Sequence, residues 1–244
     1  TKKRTIHTAK YLRNISAAFL HRPFHKMPMT AFSIVYLHAL AHGNKNDKAE
    51  LEAYALASDI DFEELLNELI NRPNVSEFVN NDVNADFLPL SNRVIKKVNN
   101  DDKFQNNVLE KIKYGSLLTK EMGNIYSGSV FGWLAAGMED AINKGIDWSN
   151  QEALLFGYGS GDAAEVIPLI FTNEWKEASI KSNFSNAFKD RYNLSQEQYL
   201  TLRSEKTTNG IDHQLRNQFV VKRIGTEERD DFQDAGIEYY EYLN

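Results

Sequence analysis

His21 stands at the end of a short apolar run, Ile15 to Leu20, and Pro23 two residues later fixes a turn that aims the imidazole out of a sheet. An imidazole so placed polarises a carbonyl or moves a proton. The ordinary alternative is a structural or solvent-facing histidine. Lys26, at the mouth of the following helix, is a solvated lysine on its own and a phosphate contact if a site lies beside it. Asn124 precedes a Ser/Gly-rich turn into a helix, where an amide side chain and backbone N–H groups can face a substrate carbonyl. Capping that helix is the commoner use of an asparagine there. The turn Gly157-Tyr158-Gly159-Ser160-Gly161 brings bare backbone amides to a surface, as an oxyanion hole requires, and is also a plain tight hairpin turn.

The elements that must hold these residues follow from periodicity. Thr8 to Ser16 reads as the end of a helix, and Ile15 to Leu20 as a strand. Pro28 suits a first helical turn, and Ala31, Ile34, Val35, His38 and Leu40 to Ala41 form a helical stripe that Gly43 terminates. From Asn44 to about Tyr114 the chain turns polar and Asn-rich. A helix begins at Asp61, where Glu64 completes a capping box, and ends at Arg72-Pro73; further helical pieces lie at 92–98 and 106–113. This stretch, about 44–113, reads as a helical excursion, peripheral to the main scaffold and not a separate domain.

Val130, Trp133, Leu134, Gly137, Met138, Ala141 and Ile142 recur at the spacing of one buried helix face, with Gly132, Ala135 and Ala136 allowing close packing and Gly145 as C-cap. Ala153 to Tyr158 and Ala163 to Phe171 read as paired strands, with Pro168 near an edge. Helices follow at 174–188 and, capped by Ser195 with Gln198, at 196–204; strand-like runs at 218–224 and 237–243 close the chain around an acidic loop. The sum is an α/β fold with one sheet of about five strands and helices on its faces.

Composition narrows the chemistry. Hydrophobic residues are 42% of 244, which with 13 glycines reaches the globular range of about 45–50%, so a sizeable core is available. No apolar stretch approaches the roughly 20 residues that a bilayer demands. The absence of cysteine excludes disulfides, thiolate metal sites and a cysteine nucleophile within this sequence. The net charge is −6, yet no acidic residue precedes Asp47, and eight basic residues do, among them Arg13, Arg22 and Lys26. A basic segment on an acidic protein suggests a local anionic ligand more than nucleic acid, which wants a broad positive face and stacking aromatics. The sequence starts at Thr1 without an apolar leader, as a cut or processed piece would.

Taken together and in order, His21-Arg-Pro-Phe-His-Lys26-Met27, Gly123-Asn-Ile-Tyr-Ser-Gly-Ser129 and Gly157-Tyr-Gly-Ser-Gly161 resemble the second half of hydroxymethylglutaryl-CoA synthase, a condensing enzyme of the thiolase superfamily. The Gly236-Ile-Glu-Tyr-Tyr-Glu-Tyr242 ending is similar too, so that nearly all of residues 1–244 are covered, with the helical insertion the loosest part. The resemblance implies a thiolase-like carboxyl-terminal half and a Cys-His-Asn constellation. A cysteine takes an acetyl group from acetyl-CoA, and the acetyl carbanion attacks the ketone of acetoacetyl-CoA. A glutamate serves as acid and base, and hydrolysis releases 3-hydroxy-3-methylglutaryl-CoA for the mevalonate pathway and isoprenoid synthesis.

On matching positions the resemblance makes His21 and Asn124 the catalytic pair at the acetoacetyl carbonyl. Tyr158, Gly159 and Ser160 fall at the oxyanion hole and substrate-binding turn, and Lys26 at the CoA phosphates. It implies no metal and no cofactor beyond the coenzyme A thioester substrates. It also implies an amino-terminal half carrying the cysteine and glutamate, a homodimer of the complete enzyme, a cytoplasmic setting, and neither nucleic acid nor membrane as partner. Two departures stand out: the nucleophile is missing, and Gly157 occupies a position where family members usually have Ser. Alternatives are a polyketide β-branching synthase acting on acyl-carrier-protein substrates and a non-catalytic CoA-binding or scaffolding subunit.

Overall fold

The structure, a computed structural model, describes residues 7–71, 86–159, 163–189, 191–205, 210–212 and 216–244. The chain divides into two compact units, Thr1–Lys189 and Asp190–Asn244.

In the first unit, helix α1 (Thr8–Asn14) runs into strand β1 (Ala17–Leu20), whose four residues are all buried. Helix α2 (Met27–Ala41) carries Pro28 in its first turn, where the missing N–H costs nothing. It buries Phe32, Tyr36, Leu37 and Leu40. Helix α3 (Lys45–Ala57) opens with a capping box, Asn44 Oδ1 accepting from the N–H of Asn46 and Asp47 while Asp47 returns a bond to Asn44 N–H. Helix α4 (Phe62–Ile70) starts as its sequence requires, with Asp61 accepting from Glu64 N–H at 3.0 Å. The Arg72-Pro73 stop lies outside the described residues. Helices α5 (Pro89–Val98) and α6 (Asp102–Asn107) and a 3-10 turn (Leu109–Ile112) lead on to helix α7 (Ser129–Asn143). The unit is completed by β2 (Glu152–Gly159), β3 (Ala163–Ile170), α8 (Trp175–Ser182) and a 3-10 segment (Phe184–Phe188). Asn183 adopts the left-handed conformation between the last two, so the single helix expected over 174–188 is divided there.

The sheet of this unit has three strands in the order β1-β2-β3. β1 lies parallel to β2, from Ala17↔Ala153 to Leu20↔Phe156, and β2 pairs antiparallel with β3 from Glu152↔Ile170 to Gly159↔Ala163. The expectation of about five strands is corrected by the two closing runs. They pair with each other in the second unit, β4 (Gln218–Ile224) against β7 (Glu238–Leu243), around a short hairpin of β5 (Glu228–Arg229) and β6 (Phe232–Gln233). Pro168 lies in the edge strand β3, where a residue without an N–H is tolerated. The second unit also holds α9 (Gln196–Glu205), whose start is tied by reciprocal bonds between Ser195 and Gln198.

The described residues of 44–113 are not peripheral to the core. Leu51, Tyr54, Leu65, Leu69, Val94 and Phe104 belong to the same buried cluster as Phe19, Leu20, Ala153 and Leu155. The physical reason is α2, which is buried over more than one face and so needs cover on the side away from the sheet. Phe104 meets the rings of Tyr36 and Tyr54 edge-on, at 6.3 and 5.7 Å between centroids.

A charged knot fastens these helices. Arg13 donates to Asp47 at 2.8 Å, to Glu50 at 3.0 Å and to the Tyr36 oxygen at 3.0 Å. Glu50 also takes the Tyr36 and Tyr54 hydroxyl protons at 2.7 and 3.1 Å and pairs with Lys103 at 2.8 Å. Arg13 is therefore one basic residue of the first segment that serves carboxylates of its own chain and not an outside anion. Burial alone would raise the Glu50 pKa; the bonds from Lys103 and Tyr36 and the charge of Arg13 hold it below its usual 4.5. A carboxylate with a depressed folded pKa adds stability above its unfolded value and loses it as pH falls through the folded one. Glu50→Ala is expected to cost about 1–3 kcal/mol at neutral pH, since it leaves the buried Tyr54 hydroxyl without its acceptor and takes one of two carboxylates from Arg13. The gap between variant and wild type should narrow as pH falls below 4.5, which urea unfolding across that range measures; a constant gap would place the stabilisation elsewhere.

Candidate functional site

The end of β1 builds the site. His21 N–H donates to Phe156 O at 2.8 Å, the last rung that ties this chain to β2. One residue on, Arg22 N–H donates instead to Ser129 Oγ at 3.1 Å, so the backbone leaves the sheet and attaches to the first turn of α7. The same oxygen lies 3.1 Å from His21 Nδ1, and His21 Nε2 has no partner among the described residues. The imidazole is thereby held on one side and open on the other. The Tyr158 ring stands 5.9 Å from it, centroid to centroid.

Arg22 turns inward. It is 6% exposed, and its guanidinium bonds Thr119 Oγ1 and His25 Nδ1 and lies 4.8 Å over the Trp133 ring. No carboxylate pairs with it among the described residues. Burial without a counter-charge pulls its pKa down to about 10.

Asn124 is exposed, and its Oδ1 accepts from Tyr126 N–H at 2.9 Å, closing the turn ahead of α7. The amide therefore stabilises a local turn and does not cap α7, whose N-cap is Gly128 without a side-chain bond, while its NH2 group has no protein partner among the described residues. Asn124 lines a cleft of about 160 Å³ together with Arg22, His25 and Thr119. It makes no hydrogen bond to His21; what connects them is Arg22, the residue after His21.

Lys26 is exposed just ahead of α2 and borders a second cleft of about 180 Å³ with His25, Lys113 and Trp133, so His25 walls both spaces. Tyr158 is half exposed on an apolar cleft of about 520 Å³ formed with Gly157, Phe131 and Ile167. Gly159 pairs with Ala163 in the β2–β3 ladder. Ser160 lies outside the described residues. The structure thus brings His21 and Tyr158 together and sets Asn124 and Lys26 in neighbouring clefts that share His25.

Ser129, Arg22, Thr119 and Trp133 have no site role from sequence alone, although Arg22 and Ser129 fall inside the motifs named above. The available signal was a serine at the first position of a helix that follows glycines. Among the described residues, no group of three His, Asp or Glu side chains is placed to hold a metal ion, and no helix is long and apolar enough to cross a membrane.

Against known proteins, residues 1–213 match the family model described as hydroxymethylglutaryl-coenzyme A synthase C terminal. The chain belongs to that family. Its mixed α/β fold is the thiolase-like carboxyl-terminal part of such synthases. Among solved structures, MvaS in complex with 3-hydroxy-3-methylglutaryl coenzyme A is similar with a TM-score of 0.53 and 16% identity, over 95% of this chain and 42% of that one. PksG, a HMG-CoA synthase from Bacillus subtilis, is similar with a TM-score of 0.49 and 16% identity, over 96% of this chain and 44% of that one. The curacin biosynthetic pathway HMG synthase in complex with holo donor-ACP gives 0.48 and 17%, over 96% and 44%. This chain therefore spans less than half the length of these structures. No curated protein matches it by sequence.

The position of His21 depends on a glycine in α7. A Cβ on Gly137 would meet Phe19 Cε1, two residues before His21, at 2.3 Å. Gly137→Ala is expected to destabilise by about 1–3 kcal/mol, the usual cost of overpacking. Denaturant titration measures this, and an unchanged midpoint would show that β1 and α7 do not rely on that close approach.

Proposed function

We propose that this chain supplies the ketone-binding side of a hydroxymethylglutaryl-CoA synthase. In this reading it condenses acetyl-CoA with acetoacetyl-CoA to 3-hydroxy-3-methylglutaryl-CoA, in the mevalonate route to isoprenoids, once an amino-terminal half brings the nucleophilic cysteine and the glutamate. The observation that carries the proposal is the His21 imidazole, held through Nδ1 at the end of a buried strand with Nε2 unengaged among the described residues, in a member of this family.

The chemistry divides between the halves. The cysteine thiolate accepts the acetyl group with release of coenzyme A, and the glutamate takes a methyl proton to form the carbanion. As the carbanion adds to the acetoacetyl ketone, negative charge gathers on the ketone oxygen; His21 stabilises it by hydrogen bonding, the glutamate returns the proton it took, and water then cleaves the cysteine thioester to release the product carboxylate and the thiol. Asn124 supports the same oxygen: its Oδ1 is occupied by Tyr126 N–H, which leaves the NH2 group as the donor. Donors set in advance where charge develops are worth a hundredfold or more in rate. Substrate binding is assigned to Tyr158, Gly159 and Ser160, and contact with a phosphate of the coenzyme to Lys26. No metal or additional cofactor enters the proposed scheme.

Reconstituted with a cysteine-bearing first half, His21→Ala is expected to slow condensation at least about a hundredfold while leaving acetylation of the partner's cysteine nearly intact. Lys26→Ala should raise KM for CoA thioesters with a smaller change in kcat, because a phosphate contact binds ground and transition states alike. Labelled acetyl-CoA bursts beside steady-state turnover separate the two steps. Equal losses in both for His21→Ala would leave the histidine a structural residue. Turnover of acyl-carrier-protein substrates without turnover of CoA thioesters would move the chain to the polyketide branch of the family.

The companion half and a homodimer of the complete enzyme are part of the same proposal, and a cytoplasmic location goes with it. Val166 and Ile170 on β3 are 52% and 58% exposed, apolar area that favours a cover. Sedimentation should show association with the first half; a stable lone monomer in its presence would contradict this.

A further inference from the structure

Ser129 is fully buried at the first position of α7, and its Oγ receives two groups from the end of β1. Arg22 N–H reaches it at 3.1 Å, and His21 Nδ1 lies at 3.1 Å. A serine hydroxyl has one proton to give and two lone pairs to accept with. The backbone N–H of Arg22 is always a donor, so it occupies a lone pair. The hydroxyl proton then needs an acceptor, because a buried polar hydrogen without one forfeits its solvation. Among the described residues the acceptor within hydrogen-bond distance of Ser129 Oγ is His21 Nδ1.

We infer that Ser129 is a positioning residue for His21: its hydroxyl donates to Nδ1, keeps the neutral ring's proton on Nε2, and presents that N–H to the substrate carbonyl. The opposite tautomer is disfavoured twice. In it Nδ1–H would donate to the remaining lone pair, and the buried hydroxyl proton would be left unpaired. It would also face the electron-rich carbonyl oxygen with the Nε2 lone pair, acceptor against acceptor. Arg22 takes part through its backbone, since its N–H fixes which lone pair remains and hence where the hydroxyl proton points. Its guanidinium, pinned by Thr119 and over Trp133, keeps that backbone in place. The inference rests on the proposed role of His21 in condensation, and adds the residue that sets which ring nitrogen does the work.

Nuclear magnetic resonance on the chain with 15N-labelled histidine reads the tautomer directly, at a pH where the ring is neutral. The His21 signals are assigned by their loss in His21→Gln. The wild type is expected to carry the proton on Nε2, with Nδ1 at a hydrogen-bonded acceptor position. In Ser129→Ala the Nδ1 signal should shift to that of a free acceptor, and Ser129→Thr, which keeps the hydroxyl, should restore it. In the reconstituted enzyme, Ser129→Ala should slow condensation about tenfold, the worth of one hydrogen bond, without changing acetylation of the partner's cysteine.

A wild-type ring with its proton on Nδ1, or an unaltered His21 spectrum in Ser129→Ala, overturns the positioning role whatever the activity. Should Ser129→Ala fail to fold, the wild-type spectrum alone decides. The expected spectra combined with undiminished condensation in His21→Ala would uphold the hydrogen bond and remove the function it serves.

Discussion

One buried oxygen, Ser129 Oγ, joins the two elements on which the site depends. β1 is only four residues long, and its ladder with β2 ends at Leu20↔Phe156. Past that rung a chain normally loses its direction to solvent. Here successive backbone donors are claimed first by β2, through Phe156 O, and then by α7, through Ser129. The exit from the sheet is therefore fixed by hydrogen bonds on both sides of His21. The close packing of Phe19 on Gly137 brings α7 near enough to β1 for this to happen. Remove that approach and the serine has nothing to reach.

Two arginines in the first segment show how context sets the cost of burying a charge. Arg13 meets carboxylates of Asp47 and Glu50, and together with the Tyr36 hydroxyl they hold its pKa well above the ordinary value despite burial. Arg22 has neutral partners and an aromatic face, and its pKa falls to about 10. The first arrangement binds helices together. The second keeps the loop after His21 filled and dry while leaving a cation beside the cleft that Asn124 borders. Among the described residues no carboxylate pairs with that charge.

Local features of this fold were legible because they depend on neighbours in sequence. Ser195 and Gln198 form their reciprocal capping pair, Asp61 makes its half of the expected box by accepting from Glu64 N–H, and the apolar period from Val130 to Ile142 marks α7 correctly. What could not be read depended on partners far along the chain. The runs ending in Ile224 and Leu243 have strand character, but composition does not say whether they extend the main sheet or pair with each other. The stretch 44–113 reads as polar and Asn-rich, and Leu51, Tyr54, Leu65, Leu69, Val94 and Phe104 nonetheless enter the main core because α2 demands cover. Of the candidate site, the histidine and its turn were visible from residue type. Ser129 was not, since a serine acquires its role only when a ring nitrogen is brought to it from 108 positions away.

Pro168 has a consequence for how this surface meets other chains. It sits opposite Leu154 in the outermost strand of the sheet, amid exposed Val166, Ile167 and Ile170. Apolar side chains on an open rim invite another strand to add and template further growth, the route to filaments. A proline has no N–H to offer such a newcomer, and its ring obstructs regular pairing. The rim is thus adhesive through its side chains and unreceptive along its backbone. Whatever covers it gains most by laying a packed face over it, an arrangement that closes after one partner and cannot propagate.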